Sequence, residues 1–165
     1  MMAACQWRFP GVCMKFLLAV DGSAAALAAV RWALRQADAG LRSEFVLVNV
    51  QEPASLYEVV TAHDAAVIEQ VRGAAGADLL RAAEALLDAA GHGFESEVAG
   101  GVPEHLIVEL AENYACDAIV MGARGLGEPE GSGLGPVAQA VLASATMPVC
   151  VVRAADETQD GDAPE

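Results

Sequence analysis

Five short apolar runs, separated by segments of helical periodicity, leave few folds open to this chain. The runs are Lys15–Val20, Glu44–Val50, Phe94–Ala99, Asp117–Met121 and Val149–Arg153. The segments between them are Ala24–Ala39, Ala62–Ala90, Pro103–Tyr114 and Val137–Ala145. The first run is continuously apolar and the second is rich in β-branched residues, as expected of strands covered on both faces. The third alternates Phe94, Ser96 and Val98, which suits an edge strand. Strict strand–helix alternation predicts an α/β domain: an open parallel sheet of five strands with helices on both faces. In such sheets a ligand sits at the carboxyl ends of the strands, where the strand order reverses. Asp21 and Gly122 both fall at such ends.

The punctuation agrees with this reading. Asp21-Gly22-Ser23 ends the first strand with turn residues, and Ser23 is placed to cap the helix that follows. That cap explains Ser23 better than a nucleophile does, since no histidine has a readable role beside it. Leu27, Val30, Leu34 and Ala37 form the expected inner face of the first helix, and Gly40 is its stop. In the long second segment Gly73 and Gly76 predict a weakened or interrupted helix, with Leu79, Ala83, Leu86 and Ala90 as its face. Pro103 suits a first helical turn, with Leu106, Leu110 and Tyr114 turned inward.

The stretch most suggestive of chemistry is Val120–Val137, VMGARGLGEPEGSGLGPV. After Gly122 come Gly125, Gly127, Gly131, Gly133 and Gly135 before the last helix. A glycine-dense loop between a strand end and a helix start suits an anion. Glycine lets the backbone approach, and the helix start offers N–H groups and the positive end of its dipole. A plain surface loop is the competing reading.

Several functions are disfavoured. The formal charge of −14 argues against nucleic acid and anionic membrane surfaces. No apolar run is long enough to cross a bilayer. A phosphate-binding GxxxxGK[ST] motif is absent, because the one lysine, Lys15, lies far from the glycines. A dinucleotide fingerprint should follow the first strand, where only Gly22 stands. Cys5, Cys13, Cys116 and Cys150 lack metal-ligand spacing, and small buried thiols fit a reducing cytoplasm. His63, His92 and His105 are scattered, and Asp117 reads as a strand-entry residue. Residues 1–13 lack periodicity and are expected to lie outside the domain, which spans 14–153. The acidic tail 154–165 is expected to be disordered.

The segments FLLAVDGS, VLVNV, GVPEHLIVELAENYACDAIVMGARG and TMPVCVV, with the spacing Gly122-x2-Gly125-x9-Gly135, resemble the universal stress protein family. The likeness covers almost all of Met14–Arg153. It implies an adenine nucleotide alpha-hydrolase-like sheet in the order 3-2-1-4-5. It implies a homodimer paired through Val149, Cys150, Val151 and Val152. It also implies that some members bind ATP or AMP, with Mg²⁺ accompanying ATP, while others bind no nucleotide. On the family pattern adenosine would lie near Asp21, Val50 and Met121. The phosphates would lie at Gly122, Gly125, Gly135 and the next residue. Arg124 in the loop and Val137 at the helix start complete the candidate set.

The family carries a small hydroxyl or amide residue after the last glycine, whereas this chain has Pro136. Proline suits the first helical position but has no N–H to offer a phosphate. Glu128 and Glu130 add negative charge to the loop, and Arg124 is its one cation. AMP or ADP is therefore expected to suit the site about as well as ATP. Two functions follow: a cytoplasmic stress-response dimer that binds an adenine nucleotide, or a dimeric interaction protein that binds none. Hydrolysis is disfavoured, since neither a general base nor a Mg²⁺ carboxylate pair can be read.

Overall fold

The computed structural model describes residues 13–53, 64–126 and 133–154. Five strands are present: β1 Met14–Ala19, β2 Ser43–Gln51, β3 Phe94–Gly100, β4 Ala118–Gly122 and β5 Val149–Val152. The described helices are α1 Ala24–Asp38, α2 Ala65–Ala89, α3 Pro103–Asn113 and α4 Pro136–Ser144. The sheet runs β3-β2-β1-β4-β5, the expected order, and every neighbouring pair is parallel. The register sets Ala19 of β1 beside Val48 of β2 and Met121 of β4. β1 and β4 end close to this level, and β2 runs on to Gln51.

Side chains alternate between the two faces of the sheet, as a pleated strand requires. Phe16, Leu18, Phe45, Leu47 and Val120 pack under α1 and α2. Leu17, Val46, Val48, Ile119 and Met121 pack under α3 and α4. β3 lies at an edge of the sheet, as expected, and its residues are half-buried or exposed. No helix among the described residues is long and apolar enough to cross a membrane.

Local punctuation behaves largely as expected. Ser23 Oγ accepts the Ala26 N–H at 3.1 Å and caps α1. Asp117 Oδ2 accepts the Lys15 N–H at 2.8 Å, tying the entry of β4 to that of β1. From the end of α3, Tyr114 Oη donates to Glu97 Oε2 on β3 at 2.5 Å. That bond pushes the phenol up to about 12, because ionisation would set a phenolate against the carboxylate. Burial raises the Cys116 thiol to about 11 and also raises that of Cys150.

Three expectations need correction. Gly73 and Gly76 do not interrupt α2, which is one helix of 25 residues capped by Asp64 through the Ala66 N–H. Its inner face is Gly76, Leu80, Ala83 and Leu87, while Leu79 and Leu86 are half-buried and Ala90 is exposed. In α3 the buried residues are Ile107, Leu110 and Ala111; Leu106 instead covers Gly101. Ala83 and Leu110 turn inward as expected, while Leu80, Leu87 and Ile107 take the places expected for Leu79, Leu86 and Leu106. In the alanine-rich α2 many phases look equally apolar, and in α3 the run Leu106-Ile107-Val108 offers more than one, so the sheet decides which residue turns inward. Residues 1–12, His63, the loop 127–132 with Glu128 and Glu130, and the tail from 155 onward lie outside the described residues.

Candidate functional site

β1 and β4 are neighbours in the sheet but far apart in sequence, so the chain leaves their carboxyl ends in opposite directions. The crevice this opens holds a cavity of about 340 Å³. That volume lies at the small end of the range for ligand pockets. All nine residues singled out in the sequence line it: Asp21, Val50, Met121, Gly122, Arg124, Gly125, Gly135, Pro136 and Val137. Its floor is apolar, made by Val48, Val50, Ile107 and Met121.

Hydrogen bonds from the strand ends hold the walls. Asp21 Oδ1 accepts the Ser23 N–H at 2.9 Å and Oδ2 the Leu126 N–H at 3.2 Å. One carboxylate thus joins the loop after β1 to the loop after β4. Ser23 Oγ donates to the Arg124 carbonyl at 3.4 Å, adding a second tie. Arg124 Nε donates to the Gly133 carbonyl at 3.0 Å. The Gly135 N–H donates to the Ala123 carbonyl at 2.8 Å, and the Ala123 N–H to the Val152 carbonyl at 2.7 Å. The two ends of the glycine-rich segment are therefore stitched to each other and to β5.

The last helix enters the cavity wall with Gly135 as its cap residue and Pro136 in its first turn. Proline contributes no donor there, so Val137 and Ala138 supply the N–H groups of that turn. Both line the cavity. The glycines have unequal reasons to be glycine. At Gly122 an added Cβ would come within 2.8 Å of the Ala25 carbonyl carbon and the Ala26 nitrogen, so its bareness lets α1 pack against β4. Gly133 faces open space. Gly22 has φ +83°, a conformation that favours glycine, and lies against Leu79.

Other lining residues were not singled out in the sequence, and three of them bear on the shape of the site. Glu52 follows Val48 and Val50 at the strand's period of two, and that spacing was the available signal. Pro103 and Ile107 come from the start of α3, and only packing brings them to the cavity. A fourth residue, Asn49, supports the site from behind. It is 2% exposed and its Nδ2 donates to the Val20 carbonyl at 2.7 Å, bracing the end of β1. Among the described residues no group of three or more His, Cys, Asp or Glu side chains could hold a metal ion.

Known proteins share this architecture. A curated relative, universal stress protein MJ0531 of Methanocaldococcus jannaschii, is 29% identical over 139 residues, covering 84% of this chain and 81% of its own. A universal stress protein crystallised in complex with cAMP is 26% identical, covers 86% of this chain and 98% of its own, and has a TM-score of 0.64. A universal stress protein family protein from Arabidopsis thaliana with AMP bound is 20% identical, covers 90% of this chain and 97% of its own, and has a TM-score of 0.63. The universal stress protein family model itself matches residues 14–153. With the 3-2-1-4-5 sheet and the cavity at its switch point, that match establishes that the chain belongs to the universal stress protein family.

Proposed function

We propose that this protein is a stress-response protein that binds an adenine nucleotide in the cavity at the ends of β1, β2 and β4, and that it works as a homodimer. One observation carries the reading: the nine residues picked out in the sequence converge on one crevice at the switch point. The ligands of two relatives, cAMP in one and AMP in the other, support an adenine nucleotide as the class. The base and ribose fit the apolar floor by Val50 and Met121. A phosphate fits the first turn of α4, where the Val137 and Ala138 N–H groups and the helix dipole meet it. We place the protein in the cytoplasm, where the thiols of Cys116 and Cys150 stay reduced.

Calorimetric titration with AMP tests the nucleotide. One saturable site per chain is expected. Val50→Glu, which sets a carboxylate on the apolar floor, should weaken binding about tenfold or more while the circular dichroism spectrum is retained. Absence of any heat with AMP would favour the other reading, a nucleotide-independent interaction dimer. Pro136, without its N–H, is the residue that speaks for that reading.

The dimer is proposed through Val149, Cys150, Val151 and Val152 of β5. This edge strand is apolar and half-buried, and such an edge is a hazard unless another chain or element covers it. Val151→Lys should give a monomer or insoluble protein by size exclusion with light scattering. A soluble, unchanged dimer would rule this interface out.

A further inference from the structure

We infer that the cavity selects adenine ligands of low negative charge, a nucleoside or its monophosphate, and discriminates against polyphosphates. This rests on the adenine-site reading above and replaces the parity of AMP and ATP expected from the sequence. The supporting observation is where the amides around the glycine-rich segment point. Those of Ala123, Leu126 and Gly135 are donated to Val152, Asp21 and Ala123, at 2.7, 3.2 and 2.8 Å. Pro136 has no amide hydrogen to give. The bonds that close this part of the fold thus commit these three amides to the protein itself.

What remains at the helix start is the pair of N–H groups on Val137 and Ala138, enough to meet the edge of one phosphate. The side chains reinforce the limit. Among the lining residues the carboxylates are Asp21 and Glu52, and the one cation, Arg124, has its Nε on the Gly133 carbonyl. The chain as a whole carries −14. Among the described lining residues the carboxylates outnumber the cations, so each further phosphoryl group adds repulsion to a chain that is already strongly negative. The apolar floor still rewards the base and ribose. Charge repulsion between ligand and protein is screened by salt, so ATP should bind more tightly as ionic strength rises. A site that attracts polyphosphate shows the opposite dependence.

The test is calorimetric titration of adenosine, AMP and ATP, free of divalent cations, at low and high salt. It uses wild type, Glu52→Gln and Pro136→Ser, and both substituted residues are exposed. In wild type, adenosine and AMP should bind comparably, with ATP about tenfold or more weaker than AMP. Salt should tighten ATP. Each substitution should narrow the gap between AMP and ATP. ATP binding as tightly as AMP, or weakening with salt, overturns the inference. A gap that neither substitution narrows overturns its assignment to these groups. Binding of none of the three ligands removes the adenine-site reading and this inference with it, whereas a reversed order removes the inference alone.

Discussion

Gly122→Ala should destabilise the protein by about 3 kcal/mol, towards the upper end of what overpacking costs. The first atom of the new side chain would lie 2.8 Å from the Ala25 carbonyl carbon and the Ala26 nitrogen, and 2.9 Å from the Ala25 Cβ. Two of those three are backbone atoms inside the first turn of α1, which cannot swing aside as a side-chain tip does. Relief requires α1 to move away from β4, and Ala26 and Ala29 on its inner face are themselves almost fully buried. A domain of this size should lose on the order of 10 °C in melting temperature. Gly133→Ala, in the same glycine-rich segment, should change stability by less than about 0.5 kcal/mol, since its Cβ would meet nothing within 4 Å. Thermal melts of the two variants make the comparison. Equal effects would show that Gly122 is not a packing glycine.

A second pair should give opposite signs within one helix. Gly73→Ala should stabilise by about 0.5–1 kcal/mol, the ordinary gain from replacing glycine in a helix interior. Gly76→Ala, one turn further on, should destabilise by about 1–3 kcal/mol despite the same gain in propensity. Its Cβ would fall 2.5 Å from Val98 Cγ1 and 2.9 Å from Asn49 Oδ1, whereas that of Gly73 meets nothing within 4 Å. Neither neighbour yields easily. Val98 is β-branched and stiff at χ1. Asn49 is held by its bonds to the Val20 carbonyl and to Gln51. Pushing Asn49 aside would also loosen the end of β1, so Gly76→Ala reaches the cavity from behind. Denaturant unfolding of both variants decides it, and stabilisation by both would refute the packing argument.

These glycines mark where local reading stops. Propensity treats Gly73 and Gly76 alike, and both suggested a weak point in the helix. The continuous α2 shows that burial of Leu80, Ala83 and Leu87 outweighs that local cost. Likewise Gly122 drew attention as a residue that lets a ligand approach. Its neighbours show that it first lets a helix approach.

The sequence by itself determined the order of strands and helices, the parallel sheet covered on both faces, and the strand ends where a site forms. Hydrophobic periodicity and caps are local signals, written within about a dozen residues of where they act. The nine candidate residues, drawn largely from the family resemblance, all line the cavity. Tertiary structure alone decided which phase of α2 and of α3 turns inward, because alanine in the one and the run Leu106-Ile107-Val108 in the other give little contrast until the sheet selects a face. It also decided that Pro103 and Ile107 meet residues from β1 and β4, since α3 is brought there only by packing over the sheet. Last, it decided which amides are already committed. Whether the Gly135 N–H meets a ligand or the Ala123 carbonyl depends on atoms 12 positions apart in sequence and 2.8 Å apart in space, and no local pattern encodes that distance.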